Sequence, residues 1–423
     1  MFRRLAVLLA TAMLFAGPAA AVSVLSHEEL IDVTWESDIL PLLRSHYPDA
    51  TPEQLKKAHS FAYGGSVIQD VGYYPLGNKF YTNLLHYVRS GDFIVFLIRD
   101  ARNLNEYAFA LGAVSHYTGD SWGHVAVNLA EPVLYPKLRR KYGNWITYED
   151  DNVAHLRTEF SFDVLEVAKH RYNSQQYHDF IGFDVSEDLL ERAFRDTYGM
   201  PMDDLLHYDD LTLETFRFAV AKIVPEMTEV ALATNKPKVT HERPDIAKKE
   251  FVFHLSRTDY EKQFGNKYRR PGIFARILGF LIKLLPFGPA RVLGYRNPTP
   301  QAEDYYFRNM DKAIDQYRQL LHQIKSGQVE IPNRNFDTGN LTKAGEYALC
   351  DRTYADLVRQ LAKKHFRDLT PGVKTNILAF FRGGRPSSIS LRQWKKVDAA
   401  LLDLKSSPDR KEPSTTDSNL KGH

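Results

Sequence analysis

From Ser26 to about Ala233, apolar positions recur at helical rather than strand spacing. Segments at 53–62, 77–90, 92–99, 103–124, 149–171, 185–197 and 211–233 read as helices, and Val/Ile/Thr alternation is scarce. Start signals fit this reading. Ser26 with Glu29 three residues on looks like a capping box. Thr51-Pro52-Glu53-Gln54 offers an N-cap followed by proline at the first helical position. Gly64-Gly65 and Gly72-Tyr73-Tyr74-Pro75 mark tight, irregular backbone between helices. Lys, Pro and Arg accumulate around 234–250, a domain boundary by composition. Helices are expected again at 301–326 and 351–365, with turn formers from Asn335 to Asn340 between them. The pattern predicts an all-α protein: a helical bundle over 22–240, a helical C-terminal region over 241–404 and a disordered polar tail over 405–423.

One helix carries unusual polar residues. The apolar run from Tyr107 to Ser115 leads into His116-Tyr-Thr-Gly-Asp120-Ser-Trp-Gly-His124. Each four-residue step turns a helical side chain by only about 40°, so His116, Asp120 and His124 share one stripe. Buried imidazoles and a carboxylate need partners, and a divalent metal satisfies all three at once. A second helix repeats the device, with His155 and Glu159 four apart in Asn152-Val-Ala-His155-Leu-Arg-Thr-Glu159. Helical bundles build metal sites from such inward-facing pairs. A solvated polar face is the competing reading.

Composition narrows the partners. The chain has 423 residues, 55 Lys+Arg against 52 Asp+Glu, and one cysteine, Cys350. The near-balanced charge disfavours nucleic acid, and any metal must be held by His and carboxylate rather than by several thiolates. Arg3-Arg4, the apolar stretch Leu5 to Phe15 and Ala19-Ala20-Ala21 form a secretory signal peptide over 1–21, so the mature protein is expected in the periplasm or outside the cell. A second apolar run, Ile273 to Pro286, is too short to span a bilayer. Flanked by cations over 269–293, it reads either as an interfacial helix touching a membrane or as a helix docked on the first domain.

Two earlier stretches extend the constellation. Gly64-Gly65-Ser-Val-Ile-Gln-Asp70-Val-Gly-Tyr sets a carboxylate beside glycines, and His86 follows on an amphipathic helix. With His27, this order and spacing over residues 24–170 resembles the zinc-dependent phospholipase C family, in the branch shared with the catalytic domain of glycosylphosphatidylinositol-specific phospholipase D.

The resemblance implies an all-helical bundle, also used by single-strand nucleases, with two or three Zn²⁺ ions in its cleft. His86, His116 and Asp120 would hold one ion. His124, His155 and Glu159 would hold a second, and His27 with Asp120 a third. Asp70 would act as general base or as a further ligand. In the secreted relatives the third ion is completed by an N-terminal Trp, whereas cleavage after Ala21 leaves Val22 here. The implied activity is hydrolysis of a phospholipid head group by zinc-activated water. The alternatives are a zinc-dependent single-strand nuclease and a non-catalytic metal-binding envelope protein. A nuclease calls for a basic cleft with a base-stacking aromatic.

Structural readings stand beside these. His27 could be a surface residue, His86 a core histidine and Asp70 an Asx-turn former. His59 reads as structural, and His46, His170, His178 and His207 lack a partner at useful spacing. Tyr73, Tyr74, Phe80 and Tyr81 fit either a substrate wall or the core.

Overall fold

A computed structural model describes residues 24–74, 77–168, 183–206, 212, 213, 216 and 294–408. Helix α1 (Val24–Thr34) runs through a π-turn, Trp35–Ile39, into α2 (Leu40–His46). Then come α3 (Pro52–Val67), a 3₁₀ turn (Ile68–Tyr73), α4 (Lys79–Tyr87), α5 (Ser90–Asp100) and α6 (Leu104–Leu134). They are followed by α7 (Pro136–Tyr142), α8 (Asn152–Ala168) and α9 (Glu187–Tyr198). The C-terminal part holds α10 (Pro300–Lys325), α11 (Ala348–Lys363), α12 (Pro371–Phe380) and α13 (Leu391–Ser406). Among the described residues there is no strand, only an isolated bridge between Arg334 and Leu341. The protein is all-α. No helix of the described residues is long and apolar enough to cross a membrane.

The 31-residue α6 is the axis of the bundle, buried on nearly every side. Helix α3 crosses it at glycines: a Cβ on Gly65 would lie 2.0 Å from the Phe109 carbonyl oxygen, and one on Gly112 2.0 Å from that of Ala62. Only bare backbone permits that approach. Gly64-Gly65 is therefore helical, not the irregular backbone expected, because the pair serves packing. On the other side α10 lies along α6, tied by the Tyr317 hydroxyl donating to the Leu111 carbonyl at 2.9 Å. The main core draws on both parts of the chain, from Val24 and Ile31 through Phe109 and Val114 to Tyr354, Leu357 and Leu404.

The N-cap at Thr51 forms as expected and is completed into a capping box by Gln54. Ser26 does not cap. Helix α1 already begins at Val24, and the Ser26 hydroxyl instead bonds Asp163 and Tyr306. Helix α6 runs ten residues past the expected end at His124, through Pro132. That proline has no N–H for the Asn128 carbonyl, which accepts from the Ile146 N–H at 3.3 Å instead. Lys405 and Ser406 close α13 rather than opening a disordered tail, since Val397, Ala400, Leu401 and Leu404 bury that helix's inner face. The leader over 1–21, the apolar segment 269–293, nearly all of 211–233, and residues 409–423 lie outside the described residues.

Candidate metal centre

Helix α6 supplies His116, Asp120 and His124 from one stripe, and the neighbouring elements bring their residues to it. Asp70 comes from the 3₁₀ turn after α3, His86 from α4, His155 and Glu159 from α8, and His27 from α1. Asp70, His86, His116 and Asp120 form one buried group in which ligand atoms lie within 4.8 Å of one another. Inside it His86 Nε2 stands 3.2 Å from Asp70 Oδ1 and 3.1 Å from Asp120 Oδ2, and His116 Nε2 lies 3.0 Å from Asp120 Oδ2. A second group joins His124, His155 and Glu159. Both imidazoles aim Nε2 at Glu159 Oε1, at 3.1 and 3.2 Å.

His27 is buried, not a surface residue. Its Nε2 is 3.1 Å from Asp120 Oδ1 and its ring stacks on His116 with centroids 4.4 Å apart. Among the described residues it makes a pair with Asp120 rather than a third three-residue group. His59 lies against Trp35, stacked at 3.7 Å, away from both clusters. His46 is exposed. Tyr73 faces the site, 6.2 Å from the His86 ring, whereas Tyr81 is core, stacked on Phe194. Tyr74 is buried edge-on to Phe216, and Phe80 packs on the core. His170, His178 and His207 lie outside the described residues.

The ring tautomers test whether this donor set fits a metal. His86 Nδ1 sits 2.9 Å from the Thr82 carbonyl oxygen, and His116 Nδ1 2.9 Å from that of Ser66. A carbonyl only accepts, so Nδ1 carries the proton and a neutral ring presents its Nε2 lone pair to the carboxylates. Lone pair against carboxylate is repulsive unless a proton or cation lies between. His116 Nε2, Asp120 Oδ2 and His155 Nε2 are buried without any hydrogen bond, a state that natural interiors avoid. A divalent cation coordinated by imidazole nitrogen and carboxylate oxygen resolves all of these contacts, and this N/O donor set suits zinc.

The electrostatics point the same way. Burial opposes charge on His86, yet the close carboxylates of Asp120 and Asp70 outweigh it and push its pKa up to about 10. Burial likewise opposes charge on His155, but Glu159 and Glu131 raise it to about 9. Asp120 stays well below the usual carboxylate range: burial works against its charge, and the flanking His116 and His124 prevail. Glu159 is lowered in the same way by His155 and His124. The centre is thus a basin of negative charge that draws cations, whether protons or metal.

Two carboxylates behind the histidines were not anticipated. Glu131 Oε1 lies 2.9 Å from His155 Nδ1, and Asp337 Oδ1 lies 3.2 Å from His124 Nδ1. Burial raises Glu131 to about 7 despite His155. Its signal was present in the sequence, because residue 131 is seven positions past His124 and two helical turns return a side chain to the same stripe. Stopping the helix at 124 hid it. Asp337 had no such signal beyond its turn-rich surroundings.

A small cavity opens on this centre, lined by Asp70, Tyr73, His86, Asp120, His124, Tyr148, His155, Leu156, Glu159 and Asp337. No lysine or arginine lines it among the described residues. Fold and donor set together define a helical protein with two buried His/carboxylate clusters that could hold metal ions. Residues 26–208 match the family model described as zinc dependent phospholipase C. The match spans all eight residues from His27 to Glu159. No curated protein and no solved structure matches the chain.

Proposed function

We propose that the protein is a zinc-dependent phosphodiesterase that hydrolyses phospholipid head groups. The observation that carries this reading is the pair of His/carboxylate clusters sharing one cavity inside the family-matched segment. Asp70, His86, His116 and Asp120 would hold one zinc, and His124, His155 and Glu159 a second. Bound there, zinc would neutralise phosphodiester charge and lower the pKa of water towards neutrality. Asp70 belongs to the ligand set in this reading, since its Oδ1 stands 3.2 Å from His86 Nε2 rather than apart as a free base.

The chain's own groups complete the site. Tyr73 and Tyr148 stand opposite each other at the cavity, their rings 6.2 Å apart. Burial keeps both phenols protonated, Tyr148 up to about 12 and Tyr73 well above the ordinary value. Each can therefore donate a hydrogen bond to a phosphoryl oxygen at neutral pH. Phe336 packs on His86 with ring centroids 5.3 Å apart and shields the floor of the first cluster from water.

Two features favour a phospholipid over single-stranded nucleic acid. The family description names phospholipase C, and among the described residues the cavity lacks the cationic lining a polyanion needs. We also propose export, on the strength of the charged and apolar N-terminal segment ending at Ala21. N-terminal sequencing of protein from an expressing cell's periplasm or medium would detect a start at Val22.

Metal analysis of the purified mature protein tests the reading, beside an Asp120→Ala, His155→Ala double variant. Two zincs per chain, lost in the variant, with phospholipid cleavage that a chelator stops, is the expected result. A wild-type chain that takes up no zinc after reconstitution would sink it. Cleavage of single-stranded DNA in place of phospholipid would transfer the activity to the nuclease alternative.

A further inference from the structure

Four histidines of the two clusters each need a partner behind the ring to fix the tautomer. Three find it inside the family-matched segment: Thr82 for His86, Ser66 for His116 and Glu131 for His155. The fourth, His124, has Asp337 Oδ1 3.2 Å from its Nδ1, an ion-pair contact rather than an aligned hydrogen bond, and Asp337 lies well beyond residue 208.

The segment around Asp337 is built to stay there. The Phe336 N–H donates to the His86 carbonyl at 3.2 Å, and Asn128 Nδ2 donates to the Asp337 carbonyl at 2.6 Å. The Asp337 N–H is held by Asn335 Oδ1 at 3.0 Å. Gly339 adopts φ +71°, and a Cβ there would lie 2.5 Å from the Ser121 carbonyl oxygen, so the turn presses directly on α6. The carboxylate is 2% exposed and divides its oxygens. Oδ2 accepts from the hydroxyls of Tyr87 at 2.9 Å and Tyr347 at 2.5 Å, leaving Oδ1 to face His124. Two phenols and a backbone turn thus orient one oxygen at one ring nitrogen.

We propose that Asp337 is the positioning residue for His124: its Oδ1 accepts the Nδ1 proton, which turns Nε2 towards Glu159 as a ligand of the second cluster. The C-terminal part of the chain is on this account a component of the metal centre. This inference rests on the metal reading above, and its test separates the two.

Zinc affinity of the full mature chain would be measured by competition with a chromophoric chelator for wild type, Asp337→Ala and Asp337→Asn. Thermal unfolding checks that each is folded, and ¹⁵N long-range correlation spectra report the His124 tautomer. In Asp337→Ala one ion should bind about 10- to 100-fold more weakly while the other is unchanged, with His124 losing its single Nδ1–H form. Asp337→Asn keeps an amide oxygen that can accept from Nδ1, so it should retain the tautomer and lose affinity only several-fold, about the scale of a removed outer charge. If the alanine variant fails to fold, the asparagine variant decides alone. Wild type binding two zincs, with both variants equally tight at both sites, overturns the inference and leaves the metal reading standing. Wild type binding none overturns both.

Discussion

The two clusters are built from the same residue types but backed differently. In the first, the histidines lean on neutral groups, the Thr82 and Ser66 carbonyls, while two carboxylates, Asp70 and Asp120, stand among the ligands. In the second, one carboxylate, Glu159, stands among the ligands, and the negative charge has moved behind the rings to Glu131 and Asp337. The first is sealed, with the His116 side chain 0% exposed. The second is more open, with His124 at 14%. Direct carboxylates neutralise a cation most strongly, whereas carboxylates one step back raise imidazole basicity and fix its direction. On the proposed two-zinc reading, the first cluster would hold its ion firmly and the second would present a more accessible ion to substrate.

Asp120 is where the comparison is most easily broken, because its Oδ2 faces the first cluster and its Oδ1 lies 3.9 Å from His124 Nε2 in the second. Asp120→Ala should unload both ions and lower phosphodiester turnover by about a thousandfold or more, as loss of a member of a cooperating unit does. Metal content and turnover would be read together. An intact second cluster with full activity would show that the clusters are independent.

Next in size is the effect of chelation. Binding at a thousand times Kd stabilises a native state by about 4 kcal/mol. Metal removal should therefore lower the unfolding temperature in two steps, the second cluster emptying first. One step, with both ions leaving together, would erase the distinction between sealed and open sites.

Glu131→Gln sharpens the contrast in outer support. It should weaken the second cluster's ion about tenfold and leave the first untouched, since no carboxylate backs the first. Equal weakening at both sites, read by chelator competition, would contradict that.

Proton release is the smallest effect expected. His86 and His155, raised to about 10 and 9, are protonated in the metal-free protein at pH 7. A ligand imidazole must be neutral, so uptake expels at least one proton from each cluster, and more from the second, where His124 is also raised well above its ordinary value. Affinity should rise with pH above neutrality at both clusters. Calorimetry in buffers of different ionisation enthalpy counts those protons, and pH-independent binding would show that metal does not displace them.

Much of this architecture was legible locally. The helices follow from apolar spacing, and the stripe His116, Asp120, His124 and the pair His155, Glu159 follow from the helical period itself. Boundaries failed where tertiary contact overrode a local cue. Gly64-Gly65 read as a break but sits inside α3, since the α3–α6 crossing needs bare backbone. Helix α6 continues past His124 because Pro132 falls near its end, where the Ile146 N–H bonds the carbonyl it frees.

By itself, then, the sequence determined which His and carboxylate residues share a stripe on each helix, because a helix converts spacing into direction without reference to the rest of the chain. Which stripes meet was decided only by the tertiary structure. Asp70 reached His86, His27 reached Asp120, and Asp337 arrived behind His124 from a turn far along the chain. No local periodicity links residues 124 and 337. Their contact is set by how α6 and the turn at 335–340 pack, and packing is a property of the whole core.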